Sequence, residues 1–224
     1  MKKILFLLLS LIVLTTGSVV ASQLPDELLA DATETLKQMA EQPDSEQLHS
    51  MLRDAHGVAI FPSLIRAGLG FGGRYGEGVV LRYNSSTETW YGPYFVTMKG
   101  LSYGFQIGVQ STALVLVMAT EEGMDSVKEG RITLGGNLSI AAGPVGRSAE
   151  ASTDVKLEAA MYSYSMSKGA FVGASLEGAS IDNNVNANQV YWKKTFTPAE
   201  ILQKKAKGSE VKDLLAELNR IIGK

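Results

Sequence analysis

The chain has 224 residues, a formal net charge of −2 and no cysteine. Without cysteine, disulfides, thiol nucleophiles and thiolate metal sites are excluded. The slightly acidic balance also lacks the concentrated basic excess of nucleic-acid-binding proteins, so we expect no nucleic-acid partner.

The first 21 residues have the organisation of an export signal. Lys2 and Lys3 precede an apolar run over residues 4–14, and residues 19–21 form a small-residue end typical of signal-peptidase cleavage. The run is shorter than the roughly 20 residues that a spanning helix needs, so a retained anchor is the less favoured alternative. We therefore expect an exported protein, periplasmic or secreted, made of residues 22–224.

Residues 22–56 are predicted to form two helices. Pro25 suits the first turn of a helix, and apolar residues follow it at helical spacing. Asp44 and Gln47 have the spacing of a capping box at the start of the second helix.

From residue 57 to about residue 180 the hydrophobic period changes from near 3.6 to 2, which indicates strands. Residues 113–119 are apolar throughout and predict a strand buried on both faces. In residues 100–110 one face is apolar and is expected to lie in the core; it carries Leu101, Tyr103, Phe105, Ile107 and Val109. Further strands are predicted over residues 68–83, 91–98, 132–142, 155–161 and 170–178.

Three more helices are predicted. One covers residues 121–129 and is stopped by Gly130, one opens with the cap and proline of residues 197–200, and the last begins at Ser209 with one apolar face. The fold class is therefore α+β: a strongly curved antiparallel sheet or barrel-like core of about 7–9 strands over residues 57–203, flanked by N- and C-terminal helices. The amphipathic helix within residues 204–224 is expected to pack on the same domain.

Six glycines fall within residues 66–78, and Gly68, Gly70 and Gly73 spell G-x-G-x-x-G. That pattern binds a dinucleotide only in a tight turn between a strand and a helix, because the helix N-terminus holds the pyrophosphate. Here the following residues favour a strand, so no nucleotide cofactor is predicted. We expect the glycines to allow a sharp bend or a close approach of backbones.

Other apparent sites lack the context that their chemistry requires. Ser102 lies in a G-x-S-x-G pattern but within a continuous strand, and His49 and His56 both precede it, so a lipase-type triad is not predicted. Two histidines alone do not make a zinc site. An alternation that resembles a calcium loop lacks the required glycine and glutamate and is interpreted as a polar turn; it comprises Asp182, Asn184, Asn186 and Asn188. No catalytic residue, metal or cofactor is predicted.

Three long strings carry a more specific signal. "GVAIFPSLIRAGLGFGGRYGEGVVLRY" (residues 57–83), "GPYFVTMKGLSYGFQIGVQSTALVLVM" (92–118) and "AAGPVGRSAEASTDVKLEAAMYSYSMSKGAFVGASLEG" (141–178) resemble the SYLF domain family. The resemblance runs from about residue 53 to residue 202. It implies lipid recognition rather than catalysis, because eukaryotic members are phosphoinositide-binding modules and the yeast actin-patch members also bind and bundle actin.

Many bacterial relatives in that family are exported proteins of unassigned role. An exported protein meets no cytosolic actin, so the resemblance implies an anionic phospholipid or a membrane surface as the partner, and no actin. Arg66, Arg74 and Arg82 share the parity of the glycine face, where short neighbours would leave their guanidinium groups accessible to phosphate. Further candidate lipid-binding residues are Lys99, Arg147, Lys156 and Lys168. The alternative is that these cations are ordinary solvated surface.

Two other functions stay open at this point. The protein could be an envelope interaction or scaffold protein with another protein as its partner. Export, absent cysteine and alternating strands also fit a transmembrane β-barrel, although the charged helical C-terminus and the doubly apolar residues 113–119 oppose it.

Overall fold

The computed structural model describes residues 22–136, 138–142, 159–166 and 176–224, with the backbone alone at residues 69–71, 102–107 and 142. The predicted export signal and the predicted strand segments 155–158 and 170–175 lie outside these residues. The elements in chain order are α1 (Pro25–Ala40), α2 (Ser45–Arg53), β1 (Gly57–Asn84), β2 (Thr89–Met118), α3 (Glu121–Lys128), β3 (Arg131–Thr133), β4 (Ile140–Ala142), β5 (Met161–Ser165), β6 (Ser180–Asn183), α4 (Val185–Trp192), α5 (Pro198–Ile201) and α6 (Ser209–Ile222).

The strands form one strongly curled sheet in the order β3-β6-β2-β5-β4, with β1 paired to β2. All described pairs are antiparallel except β4 with β5. The predicted α+β fold, a curved sheet with terminal helices, is confirmed. The shorter strands predicted between residues 57 and 118 are joined into two strands of 28 and 30 residues, which form a single long hairpin.

The strand predicted over residues 132–142 is wrong as one element. The chain turns at Gly135, which has a φ of +73° and whose N–H donates to the Leu138 carbonyl at 3.0 Å. A positive φ suits glycine and breaks an extended strand. The segment therefore supplies two three-residue strands, β3 and β4, in place of one.

The glycines of β1 allow backbones to approach closely. A Cβ on Gly76 would lie 2.8 Å from the Ser63 carbonyl oxygen, and a Cβ on Gly72 would lie 2.2 Å from that of Ala67. The first half of β1 therefore returns against its second half, and the bend lies at residues 67–72. The predicted role of the glycines is confirmed: β1 continues as a strand to Asn84, so no helix N-terminus follows the G-x-G-x-x-G pattern.

The two long strands separate two buried clusters. Alternate residues of β1 and β2, such as Val58 and Val115, pack with α1, α2 and α6 in one cluster. Their neighbours, such as Phe61 and Leu114, pack in the other with α3 and the α5 region. Both faces of β2 are thus buried over residues 113–118, as predicted. No helix within the described residues is long and apolar enough to cross a bilayer.

The core face predicted in residues 100–110 is wrong at its described ends. Leu101 is 69% exposed and Val109 is 73% exposed. Between them lies a break in register: Leu69 pairs with Ile107 but Phe71 pairs with Tyr103, so three residues of β2 stand opposite one of β1. The offset of two residues keeps the parity of the side chains, so Leu101 and Val109 share a face as predicted, but that face is exposed at both ends.

Most predicted helix signals are confirmed. Helix α3 ends before Gly130, which has a φ of +83°, and Thr197 with Glu200 forms a complete capping box at α5. The capping box predicted at Asp44 is wrong, because that side chain makes no cap hydrogen bond. Its carboxylate accepts from the Tyr164 hydroxyl at 2.9 Å instead, which ties the start of α2 to β5.

Candidate functional site

Arg74 is a buried cation with most of its hydrogen-bonding capacity unused. Its side chain is 7% exposed, and its Nη2 donates to the Leu101 carbonyl oxygen at 3.0 Å. Its Nε and Nη1 are buried without a hydrogen-bond partner. Among the described residues no carboxylate forms an ion pair with it. The predicted accessibility of this guanidinium is therefore wrong, because the glycine face of β1 is covered: Gly76 and Gly78, which share the parity of Arg74, lie against Ser63 and Phe61.

Arg66 lies close enough for its charge to act on Arg74. Burial first, and then the positive charge of Arg66, lower the pKa of Arg74 below its ordinary value. The two residues are eight apart in β1, which would separate them by about 26 Å along a straight strand. The glycine bend at residues 67–72 brings them together, so the bend builds the site.

We call Arg66 and Arg74 the arginine pair. Its surroundings are small: Gly100 lies opposite Arg74 in the hairpin, and a Cβ there would be 3.3 Å from the Arg74 Cδ and 3.1 Å from the Ala179 Cα. Glycine therefore makes room for the arginine stem. The next residue, Leu101, holds the guanidinium through its carbonyl group and exposes its side chain to solvent.

The energetics of the arginine pair are unfavourable for a purely structural role. A buried charge is normally paired or fully hydrogen-bonded, because desolvation of an ion is expensive. Here two cations are placed together, and two donor atoms of one of them have no partner. An anion with several acceptor oxygens would use those donors and compensate both charges.

The other predicted lipid-binding residues are distributed differently. Arg82 is already engaged, since its Nε donates to the Leu202 carbonyl at 2.8 Å and its guanidinium stacks 4.2 Å from the Tyr91 ring centroid. Lys99 is exposed, lies one position from Gly100, and helps to lower the pKa of Asp182. Arg147, Lys156 and Lys168 lie outside the described residues.

Sequence reasoning missed a second basic feature. Lys204 lies 3.9 Å from the Phe196 ring centroid and 5.9 Å from that of Trp192, and Lys194 lies 5.3 Å from Phe196. We call these four residues the lysine–aromatic patch. Paired lysines at positions 193–194 and 204–205, with Trp192 and Phe196 on either side of the first pair, were the available signal.

The structure explains the motif that resembled a calcium loop. Asn184 caps α4 through its side chain, and Asn188 is buried against the backbone of Phe95. The polar-turn interpretation is therefore wrong: Asp182 lies in β6, and Asn184 and Asn188 stabilise a helix that was not predicted from the sequence. Within the described ranges, no group of three or more His, Cys, Asp or Glu side chains could hold a metal ion. Ser102 lies inside β2, where the turn of a nucleophile elbow does not form.

Two open grooves lie away from the arginine pair. One of about 540 Å³ is lined by Glu122 and Glu177 among other residues, and its carboxylates disfavour anions. The other, of about 350 Å³, has mixed charge, with Arg53, Asp54 and Glu121 in its walls. Neither offers the unpaired buried donors that Arg74 presents.

Comparison with known proteins places the chain in a family. Residues 99–221 match the Ysc84 family, described as Las17-binding protein actin regulator. The LAS seventeen-binding protein 3 of Saccharomyces cerevisiae is 39% identical over 155 residues, which cover 68% of this chain and 33% of that protein. Protein YSC84 of the same species is 37% identical over 171 residues, covering 75% and 36%.

The similarity extends to animals. SH3 domain-containing YSC84-like protein 1 of Homo sapiens is 32% identical over 161 residues, covering 71% of this chain and 46% of that protein. The chain therefore spans less than half the length of these relatives. The family consists of binding and adaptor domains rather than enzymes. The resemblance found in the sequence is confirmed, and the chain belongs to the Ysc84 family of SYLF-domain proteins.

Proposed function

We propose that this domain is a non-catalytic module that binds anionic phospholipid head groups at the arginine pair. The observation that carries the proposal is the buried guanidinium of Arg74, whose Nε and Nη1 have no partner beside the second cation Arg66. A phosphate group has several acceptor oxygens and a negative charge, and arginine binds it with charge-assisted hydrogen bonds.

The rim of the site favours a phosphate that belongs to a lipid. Leu101 exposes 69% of its surface directly beside the arginine pair, and Lys99 is exposed two residues earlier. An apolar side chain next to a cation suits the boundary between head groups and acyl chains. Basic residues near an anionic membrane surface each contribute about 1 kcal/mol of attraction.

Vesicle sedimentation with residues 22–224 tests the proposal. Wild type should bind vesicles that contain phosphatidylglycerol or a phosphoinositide, ignore phosphatidylcholine vesicles, and release as salt rises. Arg74→Gln should weaken binding at least tenfold, because hydrogen bonds to charged groups contribute about 1.5–3 kcal/mol each. Arg82→Gln is the matched control in the same strand, since Arg82 is already bonded to Leu202 and should leave lipid binding unchanged.

Two arms make the experiment decisive. Circular dichroism and thermal unfolding check that each variant is folded. Glycerophosphate and inorganic phosphate, added as competitors, separate a site for lipid from a site for free phosphate: a lipid site should release vesicles only at high competitor concentration. Failure of wild type to bind any anionic vesicle at low salt, or equal losses in both variants, would contradict the proposal.

The setting we propose is an exported protein, in the periplasm or secreted, that associates peripherally with a membrane. This rests on the organisation of residues 1–21, with its basic start, apolar run and small-residue end. The name of one yeast relative, LAS seventeen-binding protein 3, refers to Las17 binding. An exported protein would not meet such cytosolic partners, so we propose no actin partner for this chain.

The lysine–aromatic patch supports a second candidate function, the binding of an acidic envelope protein. Aromatic side chains with stacked lysines are suited to a desolvated contact with carboxylates. A double variant, Lys194→Glu with Lys204→Glu, should abolish capture of such a partner while vesicle binding stays intact. Loss of vesicle binding in this variant, with Arg74→Gln unaffected, would move the lipid site to the patch.

A further inference from the structure

Glu77 is a carboxylate that collects hydrogen bonds from three separate parts of the chain. Its Oε1 accepts from the Ser22 Oγ at 2.9 Å, the Tyr75 hydroxyl at 3.1 Å and the Asn184 amide at 3.2 Å. Its Oε2 accepts from the Gln23 backbone N–H at 2.8 Å. These donors come from the segment before α1, from β1 and from the cap of α4.

All four donors are neutral, so none of them compensates the negative charge of Glu77. Among the described residues, none of the ion pairs includes Glu77. A half-buried carboxylate that is held by this many donors is well ordered, and it would gain from a cation on its Oε2 side. That oxygen accepts from the peptide group between Ser22 and Gln23.

The sequence places a cleavage signal one peptide bond earlier, between Ala21 and Ser22. Residues 19–21 are the small-residue end of the export signal, and Ser22 is the next residue. The α-nitrogen of Ser22 is three bonds from its own Oγ and three bonds from the N atom of Gln23. Both of those atoms contact Glu77, so the α-nitrogen must lie within about 6 Å of the carboxylate.

We propose that the bond between Ala21 and Ser22 is a processing site and that the new α-ammonium group of Ser22 docks on Glu77. An envelope peptidase would catalyse the hydrolysis: water adds to the Ala21 carbonyl, the C–N bond breaks, Ala21 leaves with a carboxylate and Ser22 keeps a protonated amine. Processing thus places an ammonium group next to Glu77, which already accepts hydrogen bonds from Ser22 and Gln23.

The ion pair would fasten the mature N-terminus to the sheet. Gln23 and Ser22 lead directly into α1, which packs against β1 and α6 through Leu28, Leu29 and Leu36. A free N-terminal amine has a pKa of about 7.7–8.0. Pairing with Glu77 raises it, so the added stability is fully present below about pH 7.7 and is lost as the pH rises through the raised folded-state pKa. Lipid binding at the arginine pair plays no part in this.

The test begins with the exported protein purified from the envelope. Its intact mass should correspond to residues 22–224, and its α-amine pKa, followed by NMR, should be about half a unit above that of Glu77→Gln, the size expected for an exposed ion pair. Tyr75→Phe is the control, because it removes a donor to Glu77 without changing the charge and should keep the raised value.

A form that retains Ala21 before Ser22 provides the second measurement. It moves the ammonium group one residue away, so its amine pKa should match that of Glu77→Gln, and its unfolding midpoint should lose the dependence on pH between 7 and 9. A mature terminus at another residue would overturn the proposal. So would equal amine pKa values in wild type and Glu77→Gln.

Discussion

Two buried polar side chains bind the backbone of β2, and they differ in what they leave unsatisfied. Asn188 is 5% exposed; its Oδ1 accepts from the Phe95 N–H, and its amide nitrogen lies 2.7–3.0 Å from three acceptor oxygens. Arg74 is buried to a similar degree but uses one of its three nitrogen atoms. A completed network indicates architecture, whereas an incomplete one indicates a place for a ligand.

The strand opposite each contact differs as well. Asn188 lies on α4 and bonds Phe95, which stands opposite Val79 in the hairpin. Arg74 follows the glycine bend and stands opposite Gly100, which leaves room for its stem. The bend also brings two cations together, which a straight hairpin would keep apart.

Breaking the completed network should have the largest effect. Asn188→Leu removes the partners of the Phe95 N–H and C=O groups, and we expect it to lower the free energy of unfolding by about 2–4 kcal/mol. Denaturant unfolding measures this. Asn186→Leu, at an exposed position of the same helix, should change stability by less than about 0.5 kcal/mol. Equal losses of stability in Asn188→Leu and Asn186→Leu would show that the hydrogen bonds of Asn188 do not stabilise the fold.

The glycine bend offers a matched pair of neighbours. Gly72→Ala would place its Cβ 2.2 Å from the Ala67 carbonyl oxygen, a backbone atom that cannot rotate away, so we expect a loss of about 1–3 kcal/mol and weaker vesicle binding. Gly73→Ala meets only the Gly100 carbonyl oxygen at 3.8 Å and should be close to neutral. Thermal unfolding and vesicle sedimentation of both variants check this, and a neutral Gly72→Ala would show that the bend tolerates a side chain.

The smallest effect on stability is expected from Asp182, a carboxylate that belongs neither to the Asn188 network nor to the arginine pair. Burial raises the pKa of Asp182, but hydrogen bonds from Arg131 and Ser180 outweigh it and leave the pKa below its ordinary value. Stability from this group is therefore present above about pH 4 and is lost as the pH falls through the lowered folded-state value.

Asp182→Asn should flatten that dependence by less than about 1 kcal/mol, since Arg131 is largely exposed. Urea unfolding between pH 2.5 and pH 7 measures it, with Asp213→Asn on the exposed side of α6 as control. An unchanged pH slope in Asp182→Asn would assign the acid sensitivity to other carboxylates.

Much of the fold follows from local patterns in the sequence. The apolar run at residues 113–119 predicted burial on both faces, and Thr197 with Glu200 predicted a capping box, because each depends only on neighbours along the chain. The glycines of β1 predicted a bend or a close backbone approach for the same reason, since glycine weakens a regular strand and usually marks such a feature.

The site could be predicted only in part. Arg66 and Arg74 were both candidates, and alternation correctly placed them on the glycine face, but alternation does not show which face of a curled strand is covered. The burial of Arg74 follows from the return of the first half of β1 against its second half, which local patterns do not reveal. Asn188 was assigned to a turn from its polar neighbours alone. Its packing role could not be predicted, because its partner Phe95 is 93 residues away in the chain.

The most direct test of the central claim is the free energy of unfolding of Arg74→Met in phosphate-free buffer, measured beside Arg82→Met. If Arg74 is an unpaired buried cation that awaits an anion, Arg74→Met should be at least as stable as wild type, by up to about 1–4 kcal/mol. Arg82→Met should lose about 1–2 kcal/mol, because it strips a donor from Leu202 and a cation from Tyr91. A loss of stability in Arg74→Met as large as that in Arg82→Met would contradict the account.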